Sequence, residues 1–264
     1  MLRQRLITAA IGLPVLLLIT WFGNPWFAVM VAVIAILGSL EFFQIVISSK
    51  IDPLSYFIIV VIVILNVSPF YSAFVPKSIV LTLSIVISLS WILFLPKREG
   101  VFLEWVWLLA GTIYLGWMLS YWSELRNLTN GREWTYLSIF IIMASDTSAY
   151  FVGRAWGKHL MAPSISPKKT WEGAVGGLLC SIIVSVGLGI VFSLSMNFWF
   201  LLIFGLCIGL LAQIGDLVES LFKRNSGIKD SGKLLPGHGG MLDRVDSFIL
   251  AGAAACFLLM LFTS

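Results

Sequence analysis

Nine apolar stretches, each long enough to cross about 30 Å of hydrocarbon, dominate this sequence and leave few folds open to it. They lie near 6–22, 26–47, 54–70, 78–95, 101–122, 135–153, 171–194, 198–222 and 245–263. Inside a bilayer no water satisfies the backbone, so a spanning segment must be a helix or part of a closed barrel. Runs of this length and apolarity read as helices. The expected fold is all-α, a polytopic transmembrane bundle of nine helices. Composition agrees, with 59% hydrophobic and 11% charged residues, against about 25% charged in ordinary soluble domains.

Charge placement sets the expected orientation. With the N-terminus inside and the spans alternating, only Lys77, Arg126 and Arg132 of the 17 lysines and arginines fall outside. The positive-inside rule then puts the C-terminus outside. The N-terminal stretch, with Arg3 and Arg5 ahead of an apolar run, reads as a retained first helix rather than a cleaved signal. Pro69, Pro76 and the Pro96–Gly100 segment punctuate the third, fourth and fifth helices. The three cysteines, Cys180, Cys207 and Cys256, sit in apolar runs without paired spacing, which reads as packing rather than zinc or disulfide chemistry.

Charge inside the spans concentrates from the sixth helix onward. Residues 1–130 therefore read as five scaffold spans, serving a dimer contact or lipid access. Residues 131–264 read as a catalytic region of four spans with two basic cytoplasmic loops. Glu41 and Glu104 are the exceptions in the first half, read as near helix ends.

Ionisable groups at membrane depth are costly and tend to face a bundle interior or a watery cavity. Asp146, Glu172, Asp216 and Glu219 meet that description. Asp216, Glu219 and Lys223 follow i, i+3, i+7 spacing and share one helix face. The plain alternative is that these acids merely pair with a neighbouring base.

The segment Lys223–Ser247, KRNSGIKDSGKLLPGHGGMLDRVDS, joins two apolar helices. Four bases, Lys223, Arg224, Lys229 and Lys233, precede the run Pro236-Gly237-His238-Gly239-Gly240. Glycines ahead of a helix let backbone N–H groups approach phosphate oxygens, and the helix dipole favours the anion. Asp243 and Asp246, three residues apart, open the last helix. Acids beside a phosphate make sense with a divalent cation between them, and magnesium takes such all-oxygen ligands. Taken singly, Asp243 as a helix cap and the bases as retention charges are equally ordinary. A second basic loop, SISPKKTWEG, places Lys168 and Lys169 before a helix start with Thr170 as its cap. Two lysines there suit a phosphate, of a lipid headgroup or of a nucleotide. His159 reads as a surface residue at headgroup level.

The run from Ser220 to Asp246, with its KR, KD, PGHGG and DRVD elements, resembles the phosphatidate cytidylyltransferase family. SPKKTWEG and SDTSAYFVGRAWGK resemble that family's companion motifs, in the same order. The resemblance is specific over about residues 140–250. It implies an enzyme that converts CTP and phosphatidate to CDP-diacylglycerol and pyrophosphate in phospholipid biosynthesis. In that reading Asp216, Asp243 and Asp246 gather one or two magnesium ions. Lys223, Arg224, Lys229, Arg244 and the loop Gly237, His238, Gly239, Gly240 hold the triphosphate. Lys168 and Lys169 hold a phosphate, with Glu172 beside them, and Asp146 completes the polar cavity or meets the nucleotide. The expected setting is a bacterial-type cytoplasmic membrane with the site facing the cytoplasm. No nucleic-acid partner is expected, and a homodimer is allowed. A CTP-dependent lipid-alcohol kinase would use the same parts. A transporter would need paired broken helices open to both sides, against which the one-sided charge argues.

Overall fold

Apolar residues in unbroken runs, punctuated by proline and glycine, fold as helices at every stretch where the sequence places one. The computed structural model describes residues 2–46, 53–70, 75–94, 100–232 and 239–263. Among these are nine helices: α1 (Leu2–Phe22), α2 (Trp26–Val46), α3 (Pro53–Val67), α4 (Lys77–Leu93), α5 (Val101–Asn127), α6 (Gly131–Trp156), α7 (Trp171–Val191), α8 (Phe198–Asn225) and α9 (Leu242–Thr263). Six of them, α2 and α5 to α9, are long and apolar enough to cross a membrane. The apolar parts of α1, α3 and α4 are shorter.

One element departs from the all-α expectation. The second basic loop is a small antiparallel hairpin of β1 (Leu160–Ala162) and β2 (Ser166–Thr170), pairing Leu160 with Thr170 and Ala162 with Ser166. It carries no long apolar alternation, so hydropathy could not announce it.

The chain divides into two compact units. The first comprises residues 1–124 and 226–244. Within it, α5 has a π-helical turn over Thr112–Met118. Leu119 N–H bonds to Gly116 O instead of continuing the α-helical ladder to Leu115. Leu115 O accepts from the Asn66 amide of α3 at 2.9 Å. The two helices approach closely because Gly116 has no side chain: a Cβ there would lie 2.9 Å from Leu65 Cδ1. Phe42 and Phe43 of α2, both buried, fill the space beside Gly111. On α4, Ser88 Oγ accepts from Trp105 Nε1 at 2.9 Å. Lys77 Nζ pairs with Glu124 at 2.7 Å beneath the rings of Tyr121 and Trp117.

The second unit comprises residues 125–225 and 245–264. Its helices α6, α7 and α8 pack through small residues, as membrane helices do when close backbone approach replaces hydrophobic drive. Gly173 and Gly177 of α7 sit against Ala149 O and Ser145 O of α6, and Gly205 and Gly209 of α8 against Ser185 and Ser181 of α7. Gln213 ties all three helices, donating to Ser145 Oγ at 3.3 Å and Ala174 O at 3.1 Å. Ser185 Oγ donates to Leu201 O at 2.7 Å. Cys180 and Cys207 are half-buried thiols and Cys256 a buried one, in keeping with packing roles.

Candidate active site

Gly215 of α8 decides where the acids of the second unit meet. A Cβ there would collide with Asp246 O and stand 3.4 Å from Ser247 Cα, so α9 crosses α8 in backbone contact at this point. Asp216, the next residue, is thereby brought beside Asp246. The two carboxylates repel each other, and Asp146 of α6 feels both charges. Ser247 N–H donates to Asp246 Oδ1 at 2.7 Å. Glu219, one turn after Asp216, is fully buried.

Two lysines enter this group. Lys169 Nζ pairs with Asp216 Oδ2 at 2.8 Å, and Lys223 Nζ with Glu219 Oε1 at 3.1 Å. The plain pairing alternative thus describes part of what these acids do. It does not exhaust the charge: among the described residues, four carboxylates, Asp146, Asp216, Glu219 and Asp246, stand with Lys169 and Lys223. The surplus is negative and made of oxygen donors only, from exposed Asp146 through half-buried Asp216 and Asp246 to buried Glu219. That chemistry fits a hard divalent cation that keeps several waters. Among the described residues, no three His, Cys, Asp or Glu side chains are drawn together closely enough to form a metal cage. The fit is to an open site with one or two carboxylates per ion.

The hairpin explains why adjacent lysines differ. Successive residues on a strand point to opposite sides, so Lys169 reaches Asp216 while Lys168 is exposed. The strand ends where Thr170 caps α7, its Oγ1 accepting from Gly173 N at 3.2 Å, as the sequence led us to expect. Glu172, in the first turn of α7, holds His159: Oε1 lies 2.6 Å from Nδ1, and Oε2 accepts from the backbone N–H at 3.2 Å. His159 itself is exposed. Arg224, exposed near the end of α8, donates from Nε to Ile165 O at 3.1 Å and so leans on the hairpin.

The first unit contains the loop after α8, and here Asp243 does something the sequence did not suggest. Its Oδ2 accepts from Ser231 N at 3.0 Å and from Gly240 N at 2.9 Å, closing the loop on itself. Glu41 of α2 completes the closure. Its Oε1 accepts from Met241 N at 2.9 Å, and its Oε2 accepts from Leu242 N at 2.8 Å and Ser231 Oγ at 3.0 Å. The N–H groups of Gly240, Met241 and Leu242 therefore face carboxylates rather than an open phosphate cradle. Gly240 is small for the same reason, since a Cβ would run into Glu41 and Ser231. Gly239 has φ +81°, a conformation glycine adopts freely, with Asp243 Oδ2 where a Cβ would stand. Lys229 and Arg244 are exposed. Gly237, His238 and Lys233 lie outside the described residues.

Sequence reasoning read Glu41 only as a charge near a helix end and passed over Ser231, Ser247 and Gln213. Only Glu41 carried a signal, a lone carboxylate in the apolar run ILGSLEFFQIV. The other three are small or neutral and become legible only through their partners.

The chain is similar to known proteins over more than half of its length. A protein of Staphylococcus epidermidis named phosphatidate cytidylyltransferase is 44% identical over 155 residues, covering 59% of each chain. One of the same name from Staphylococcus saprophyticus is 42% identical over 173 residues, 64% of this chain and 66% of that one. Another, from Staphylococcus aureus, is 43% identical over 155 residues and again covers 59% of each. The chain thus spans about three fifths of the length of the relatives it matches first. A model of the cytidylyltransferase family matches residues 3–262, nearly the whole sequence. On that match, the chain belongs to the cytidylyltransferase family.

Proposed function

We propose that this protein is a phosphatidate cytidylyltransferase of a bacterial cytoplasmic membrane, joining CTP and phosphatidate to give CDP-diacylglycerol and pyrophosphate. The observation that carries the reading is the cluster of Asp146, Asp216, Glu219 and Asp246, with which Lys169 and Lys223 pair among the described residues. An excess of oxygen anions among membrane helices serves cation-assisted phosphate chemistry better than it serves stability. The relatives' shared name supplies the substrates.

In this reaction a phosphatidate phosphate oxygen attacks the α-phosphorus of CTP, the bond to the β-phosphate oxygen breaks, and pyrophosphate leaves. Both reactants are anions, so the protein must neutralise and align them, and little covalent work falls to it. Phosphatidate is already ionised near neutral pH, so no general base is required. Asp216 and Asp246 would hold magnesium, which supplies charge neutralisation and alignment of phosphate oxygens when bound. Lys169 orients Asp216, and Lys223 keeps Glu219 neutralised beside Asp246. Lys168, exposed on the other side of β2, meets a lipid phosphate. The exposed cations Arg224, Lys229 and Arg244 are assigned to the triphosphate on charge alone. Nine crossings, with the N-terminus inside and the C-terminus outside, put these groups on the cytoplasmic side.

The test uses purified protein, phosphatidate, Mg²⁺ and CTP labelled in either the α- or the γ-phosphate. Label from the α position should enter the lipid together with release of pyrophosphate, and chelation should stop it. Lipid labelled from the γ position instead would make the protein a kinase and overturn the reading.

A further inference from the structure

The carboxylate of Glu41 sits 6% exposed near the end of a membrane-spanning helix, about 190 residues in sequence from the groups it holds. Burying a charge there is costly unless it is fully hydrogen-bonded. Glu41 meets that condition with three donors: Met241 N, Leu242 N and Ser231 Oγ. The first two are among the N–H groups that a helix N-terminus leaves without intrahelical partners. An anion at that end is also favoured by the helix dipole.

We propose that Glu41 is a positioning residue for the nucleotide. It fixes the turn that presents Lys229 and Arg244, two exposed cations among the described residues of the α8–α9 segment. The proposal rests on the nucleotidyl-transfer reading given above. Ser231 is the hub of the arrangement. Its hydroxyl donates to Glu41, its N–H donates to Asp243, and Asp243 N–H returns to the same hydroxyl at 3.4 Å. Gly232 and Gly240 have no side chain because Glu41 occupies the space: a Cβ on Gly232 would stand 2.6 Å from Oε1. The loop is therefore built around this carboxylate. The N–H groups of Ser231, Gly240, Met241 and Leu242 are taken up in holding shape, and the basic side chains meet the triphosphate.

A carboxylate is required, not merely a polar group of its size. Each oxygen of Glu41 accepts from a backbone N–H, Met241 on one and Leu242 on the other. An amide in the same place must turn its NH₂ toward one of those N–H groups, whichever way it is flipped. Glu41→Gln should accordingly act as a disruption rather than a neutral replacement.

The experiment measures KM and kcat of the full-length protein for CTP and phosphatidate separately, in wild type, Glu41→Gln and Ser231→Ala. Both variants should raise KM for CTP, with kcat/KM for CTP falling about 10–100-fold in Glu41→Gln, the range seen when groups that orient a site's ligands are removed. KM for phosphatidate should stay within about twofold, since loss of a merely structural contact lowers the active fraction and leaves both KM values in place. Amide exchange provides a readout that needs no turnover: Glu41→Gln should lose protection at Ser231 and at Gly240–Leu242. If Glu41→Gln does not fold, Ser231→Ala carries both measurements. An unchanged KM for CTP, equal shifts for both substrates, or unchanged exchange in the loop overturns the proposal. Failure of wild-type protein to label lipid from α-labelled CTP overturns the underlying reaction instead, and leaves the exchange result to decide whether Glu41 fixes the loop.

Discussion

Adjacent lysines give the sharpest contrast at the scale of residues. Read as sequence, Lys168 and Lys169 form one basic patch. On a strand they part, and only Lys169 reaches an acid, at 2.8 Å. Lys169→Met leaves Asp216 half-buried beside Asp246 without its cation, whereas Lys168→Met removes an exposed charge. We expect kcat to fall more than about tenfold for Lys169→Met, and mainly a higher KM for phosphatidate from Lys168→Met. Equal effects on the same constant would show that the strand does not separate their roles. Asp246→Asn keeps shape and removes one negative charge from the cluster. Its magnesium dependence should weaken steeply, with turnover lost at metal concentrations that saturate wild type, while a titration of cation binding and a thermal melt show the protein still folded. Near-normal turnover would remove Asp246 from the cation site. Acid residues in apolar runs were readable in advance because water is scarce there. Their partners were not, because a serine hydroxyl or a glycine carries no hydropathy signal.

Helices were legible at their centres and less so at their ends. The apolar run near 135–153 lies within a helix that begins at Gly131, the run near 198–222 within one that continues to Asn225, and the run near 245–263 within one that starts at Leu242. In each case charged residues, such as Arg132 and Glu133, or Lys223 and Arg224, extend the hydrogen-bonded ladder past the apolar run. Hydropathy reports contact with lipid, and a helix stops only where its backbone finds other partners. The π-helical turn in α5 is a case where such a partner comes from another helix. Asn66 donates to Ile62 O at 2.8 Å and to Leu115 O at 2.9 Å, so one amide spans α3 and the turn. Asn66→Leu removes a donor from a buried carbonyl, which costs about 1–3 kcal/mol. A thermal melt in detergent should show a lower Tm, with KM for CTP and phosphatidate unchanged. No change in Tm would mean that the turn does not depend on Asn66.

For the whole molecule, the distribution of cations and of their partners makes one topological argument. Of the three basic residues assigned to the outside, Lys77 is paired with Glu124 under two aromatic rings, and Arg132 with Glu133 at 2.7 Å. Aromatic side chains of this kind gather at membrane interfaces, where one face is apolar and the other wet. The cytoplasmic assignment, in contrast, collects Arg154, Lys158, Lys168, Arg224, Lys229 and Arg244, all exposed. Helix α1 and the shorter helices α3 and α4 matter most here, because whether each crosses decides the parity of the chain and hence which face the C-terminus reaches. With nine crossings, a periplasmic reporter fused after Ser264 should be active in cells, and the same reporter inserted after Gly227 should be silent. Cysteines introduced at Lys229 and at Lys77 should be labelled by an impermeant thiol reagent from opposite sides of sealed vesicles. Reporters active at both positions, or at neither, would mean an even number of crossings between the loop and the C-terminus. That result would remove the single-crossing assignment of α9, on whose cytoplasmic end the placement of Asp243 and Asp246 depends.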